Sequence, residues 1–122
     1  MSSPRRGAIA LGIAVAACQT LDSEHAKHVT GDALEPYGER EECAKLAPGD
    51  RLEYAFSADA PVSFNIHYHD GAAVVEPIIR DNVTQDAGVF APPLAHDYCL
   101  WWQAGPMNAT LEYRLRIRRA GQ

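Results

Sequence analysis

The chain has 122 residues, with eleven basic and sixteen acidic side chains, a formal net charge of −5 and 47% hydrophobic residues. That acidity argues against a nucleic-acid partner, because phosphate binding needs clustered positive charge. The length suits one ordinary domain, and no internal repeat is present.

Arg5 and Arg6 precede GAIALGIAVAA, eleven residues without a charge. The run is too short for a helix across a bilayer, which needs about 20 residues, and it fits the apolar region of a secretory signal. It ends in Val15-Ala16-Ala17-Cys18, which resembles the lipobox of bacterial lipoproteins. The resemblance implies cleavage after residue 17, a diacylglyceryl thioether on Cys18 and an acylated new N-terminus, hence a membrane partner through the lipid anchor. Gln19 follows in place of aspartate, which by the sorting pattern of such lipoproteins implies an outer-membrane address facing the periplasm in a Gram-negative host. Without residues 1–17 and their two arginines the balance becomes nine basic against sixteen acidic groups, or −7.

With Cys18 taken by lipid, Cys43 and Cys99 remain in an oxidising compartment and are expected to form one disulfide. It would close a loop of about 57 residues, worth roughly 4 kcal/mol in the chain-entropy picture. A thiol metal pair is the alternative, although neither cysteine belongs to a C-x-x-C motif.

Residues 18–41 are polar and poor in large apolar side chains, and read as a flexible tether; the domain is expected over 42–119. There the pattern has period 2. After the turn APGD, Leu52, Tyr54 and Phe56 alternate with Arg51, Glu53 and Ala55. SADAP reads as a turn, and Val62, Phe64, Ile66 and Tyr68 then alternate with Ser63, Asn65, His67 and His69. Asp70-Gly71 signals a hairpin of type I′. AAVVEPII returns, with Pro77 confining its end to an edge or bulge, and RDNVTQDAG reads as a loop. VFAPPLAHD holds a short strand, YCLWWQ is another, AGPMN turns, and Leu111, Tyr113, Leu115 and Ile117 mark the last strand. Some seven to eight short strands without helical periodicity predict an all-β protein, an antiparallel β-sandwich or small barrel.

Val62-Ser63-Phe64-Asn65-Ile66, Gly88-Val89-Phe90 before a proline turn, and the aromatic strand Tyr98–Trp102 together resemble the GOLD domain, a jelly-roll-like β-sandwich. The resemblance covers about 43–118 and includes the cysteine of the aromatic strand, which in secretory cargo receptors pairs with one near the domain start. It implies a protein- or lipid-binding module and no enzyme. Gln103 departs from the asparagine that often follows the tryptophan strand. The membrane-spanning and coiled-coil segments of cargo receptors are absent, so their trafficking role is not implied. An immunoglobulin-like sandwich fits less well, since its core tryptophan lies between the cysteines, whereas Trp101 and Trp102 follow Cys99.

No G-x-S-x-G, H-E-x-x-H or phosphate-loop pattern is present, and no serine has an elbow context. The expected role is therefore non-catalytic, with an envelope protein or lipid as partner. Two further features carry chemistry. His67 and His69 share one strand face about 6.6–7 Å apart, a span that two imidazoles can close onto copper or zinc. Glu76, His96 and Asp97 are the candidates for a third ligand, Met107 is a soft one for Cu(I), and His25 and His28 are weaker still. If no metal binds, the histidines are polar residues on a solvent-facing strand. The outward tryptophan, Trp101, is either covered by the tether or part of a partner patch. Arg114, Arg116 and Arg118 line the polar face of the last strand, suited to lipid phosphate or an acidic partner, or else to discouraging edge pairing.

Overall fold

One long bent hairpin organises the molecule. A computed structural model describes residues 26–121; the signal segment, Cys18 and His25 lie outside the described residues. In chain order the strands are β1 (Ala26–Leu34), β2 (Glu39–Leu46), β3 (Arg51–Asp70), β4 (Ala73–Phe90), β5 (His96–Ala104) and β6 (Ala109–Arg118). Among the described residues the fold is all-β and antiparallel, and β3 and β4 are 20 and 18 residues long.

β4 follows one edge of β3 from Leu52↔Phe90 to Asp70↔Ala73. The other edge changes partner: Arg51–Ala58 pairs with β6, and Val62–His67 pairs with β5. β1 extends the sheet beyond β6, and β2 extends it beyond β5. The single sheet is thereby curled into two facing halves, β1-β6-β3-β4 and β2-β5-β3-β4, in a sandwich-like arrangement. SADAP is thus a corner within a continuous strand, with Pro61 where a register shift interrupts the pairing with β4. RDNVTQDAG is likewise strand and not the expected loop. Asn82, at φ 57°, absorbs the matching irregularity in β4, as asparagine tolerates the left-handed region better than most residues. Among the described residues there are six strands, roughly the seven to eight expected, with two pairs of expected strands each continuous.

The even positions of β3 keep to the concave side through the corner. Leu52, Tyr54, Phe56, Ala60, Val62, Phe64 and Ile66 are all buried. Phe64 from one half meets Phe56 and Tyr54 from the other at ring distances of 4.7 and 5.1 Å. Trp102 of β5, fully buried, stacks on Tyr113 of β6 at 4.6 Å. Such aromatic contacts contribute about 0.5–1.5 kcal/mol each beyond their burial. Here they join the two halves.

On the side away from the hairpin, β1 and β2 approach without pairing, and ions close the gap. Lys27 meets Glu42 at 2.7 Å, and Arg40 donates from Nη2 to Asp32 at 2.7 Å. Tyr113 of the opposite half donates its hydroxyl to the same Glu42. Burial and the Glu42 carboxylate both push the Tyr113 phenol upward, so it stays protonated as the donor. Inward-pointing charges also protect an open edge from pairing with another chain. The expected tether over 18–41 therefore does not extend through residues 26–41, most of which lie in β1 and β2. Lys27, Asp32 and Arg40 occupy positions where an apolar residue would have announced a strand.

At the far end, buried Asp50 accepts from the Ala47 and Ala120 backbone N–H groups and from Arg119. Burial alone would raise its carboxyl, but these donors outweigh it and hold the group below its ordinary range.

Glu42→Ala removes the acceptor shared by Lys27 and Tyr113. It should cost about 2–3 kcal/mol, between the loss of a charged hydrogen bond and the breaking of a fully buried pair. Glu112→Ala, which breaks an exposed contact to His28, should change stability by under about 1 kcal/mol. Urea unfolding of both variants checks this, and equal losses would remove the seam from the account.

Candidate functional site

The turn that ends β3 decides which side chains meet on the outer face of the β2-β5-β3-β4 half. Gly71 has φ 63° and no positive φ occurs at Ala72, so Gly71-Ala72 is the two-residue loop, with glycine first as in a type II′ turn. The sequence had placed Asp70-Gly71 there as type I′. His69 consequently pairs with Val74, and a register shift follows between Ile66 and Tyr68. Glu76 reaches Asn65 by way of the bulge.

On this face His67 stands opposite Cys99, and Cys99 opposite Cys43. The two cysteines form the expected disulfide at a Cα–Cα distance of 4.0 Å, directly across the β2–β5 ladder. His67 is only 7% exposed, although it points away from the core. Its ring is held from both ends. Asn65 donates from Nδ2 to Glu76 at 3.0 Å, which turns its Oδ1 toward His67 Nδ1 at 2.7 Å. His67 must therefore donate from Nδ1. In the neutral imidazole Nε2 then carries the lone pair, and it lies 3.4 Å from a Glu41 oxygen. The Glu41 carboxylate in turn lies within 4.8 Å of both Cys43 and Cys99 sulfurs.

His69 is exposed beside this group, its ring 5.3 Å from that of His67. His96 is elsewhere. Its ring lies 4.7 Å from that of Tyr68 in a tilted contact, toward the concave side, and its Nδ1 accepts the Asp97 N–H. His67, His69, Glu76 and His96 are thus not gathered into one ligand group; among the described residues only Glu41, Cys43 and Cys99 form such a group of three. Asp97 is engaged by Lys45 at 2.9 Å, and Met107 stands exposed in the β5–β6 turn. Glu41 was missed from sequence, although Glu39, Glu41 and Cys43 follow period 2 and so share a face.

Trp101 is half-buried on the same face and donates its indole N–H to Glu39 at 3.0 Å. On the opposite outer face, β6 presents Arg114, Arg116 and Arg118. Arg118 pairs with Glu53 at 2.7 Å. Arg114 and Arg116 are exposed, and among the described residues neither has a side-chain hydrogen bond or ion pair. Across the ladders Arg114 lies between His28 and Ala55, and Arg116 between Ala26 and Glu53. A surface hollow of about 540 Å³ at the end of the sandwich is lined by Lys45, Asp50, Asp97 and Arg119 among others. Its charges are paired with each other.

No family model matches this chain, and no curated protein matches it.

Because the two cysteines already face each other in a ladder, reducing the disulfide should loosen the chain without erasing the fold. The expected loss is about 2–4 kcal/mol. Denaturant unfolding with and without a phosphine reductant measures it. Retained far-ultraviolet strand signal in the reduced protein is the outcome required, and complete unfolding in buffer would contradict it.

Proposed function

We propose that this protein is a lipid-anchored, non-catalytic binding module of a bacterial envelope, whose arginine face docks on the anionic phospholipid surface that holds its anchor. The observation that carries the reading is the position of Ala26, which pairs with Arg116 at the start of β1. From Cys18 to Ala26 the chain advances eight residues, a reach of at most about 29 Å. The anchor therefore enters the fold beside Arg114 and Arg116, two exposed cations that form no ion pair among the described residues, with Glu53 across the ladder from Arg116.

An acidic protein has no general attraction to an anionic membrane, so a local patch must supply it. Each basic side chain near such a surface contributes about 1 kcal/mol, within a Debye length. The lipid supplies the attachment, and the arginines set which side of the sandwich faces the headgroups. The strand motifs that resemble the GOLD domain support a lipid- or protein-binding role, as does the lack of a catalytic motif. The outer-membrane leaflet facing the periplasm is the location this reading assigns in a Gram-negative host.

The test uses the full chain with Cys18→Ala, sedimented with phosphatidylglycerol or phosphatidylcholine vesicles. Binding should be confined to the anionic vesicles, and Arg114→Gln/Arg116→Gln should reduce it about 30-fold, two charges at about 1 kcal/mol each. Binding indifferent to lipid charge or to these substitutions would contradict the arginine face. The anchor has its own arm: the wild-type chain gains a diacylglyceryl mass in the host and Cys18→Ala does not. Equal masses would remove it.

A further inference from the structure

We propose that reduction of the Cys43–Cys99 disulfide unmasks a tetrahedral Zn²⁺ site made of Cys43, Cys99, Glu41 and His67. The donor set is that of a mixed thiolate–imidazole–carboxylate zinc centre. It lies on the outer face opposite the arginines, and it is independent of the lipid reading.

Three observations support it. The Glu41 carboxylate and both sulfurs are drawn within 4.8 Å of one another. Glu41 and His67 Nε2 are 3.4 Å apart, close to the edge of about 3.3 Å in a tetrahedron with zinc bonds of 2.0–2.1 Å. Finally, His67 donates from Nδ1 to Asn65, which is itself fixed by Glu76. That outer support is how metal-binding imidazoles are commonly aimed, with the free nitrogen presented to the ion. A buried, doubly oriented histidine beside a disulfide is more than a solvated strand requires.

The chemistry balances with a dithiol as reductant. Its thiolate attacks the sulfur of exposed Cys43 and displaces the Cys99 thiolate, forming a mixed disulfide. The second donor thiol then attacks its own partner sulfur and releases Cys43, and the donor departs as a disulfide. Two electrons and two protons pass to the protein cysteines. Zn²⁺ then binds both as thiolates and releases two protons to solvent. The β2–β5 ladder keeps the two sulfurs near each other throughout, with Glu41 beside them, and the His67 ring has to close on the three to complete the site. With the disulfide formed, the sulfurs are withdrawn as anionic ligands and only Glu41 and His67 remain.

The experiment titrates Zn²⁺ and its spectroscopic substitute Co²⁺ into the full chain carrying Cys18→Ala, oxidised and phosphine-reduced. The reduced protein should bind one equivalent, with a sulfur-to-cobalt charge-transfer band; the oxidised protein should show no such band and bind at least tenfold more weakly. His67→Ala, which leaves the disulfide in place for checking the fold before reduction, should weaken the reduced site at least tenfold. His96→Ala should leave it unchanged. Equal affinity in both redox states, binding without the charge-transfer band, or indifference to His67→Ala overturns the proposal. So does a reduced chain that unfolds and is not refolded by the metal.

Discussion

A single strand edge that exchanges one hydrogen-bonded neighbour for another governs this molecule. β3 gives Arg51–Ala58 to β6 and Val62–His67 to β5, and every other placement follows from that exchange. The interruption lets the two arms of the sheet turn toward each other while β4 remains continuous behind them. Because the even residues of β3 stay on the concave side through the corner, one strand supplies both walls of the core. The same bend leaves the sheet open opposite the hairpin. There the Lys27–Glu42 and Arg40–Asp32 pairs, with the Tyr113 hydroxyl, take over from backbone pairing.

The apolar alternation made most of the sheet legible. Leu52 to Phe56, Val62 to Ile66, Tyr98 to Trp102 and Leu111 to Ile117 all face the core as their spacing predicts, and the disulfide joins the two cysteines left after Cys18. What escaped the pattern escaped for physical reasons. β1 and the start of β2 bury charged stems against each other, so their inward positions read as polar tether. Turn residues at Ala58–Pro61 and at Arg80–Asp86 mark a bend in strands that continue, and composition alone does not separate a bend from an end. The two-residue loop lies one position later than Asp-Gly implied, at Gly71-Ala72 with positive φ at Gly71 alone, which shifted the hairpin register. That shift and the following bulge decide which β4 residues stand beside His67, and they bring Glu76 to Asn65. His96 illustrates another limit: its place on the opposite face depends on where β5 begins its alternation relative to β3.

The curl gives the protein two outer faces of different chemistry. One bears arginines, with Ala26, Ala55 and Glu53 among them, and β1 begins beside it at Ala26. The other holds a disulfide, a carboxylate and an oriented imidazole within a few ångströms, and it points the opposite way. In the proposed arrangement the first face lies against headgroups and the second is open to the aqueous compartment, where thiols and metal ions exchange. Neither face needs a cavity, which accords with a hollow at the sandwich end whose charges satisfy one another. The division of labour depends on the corner and the seam holding the halves in register.

Nuclear magnetic resonance of the lipidated chain on anionic nanodiscs bearing gadolinium-chelate headgroups tests this arrangement most directly. The account predicts that amide signals of Ala55, Arg114 and Arg116 are strongly attenuated, while those of Cys43, His67 and Cys99 keep their intensity. Equal attenuation on both faces, or the reverse pattern, would contradict it.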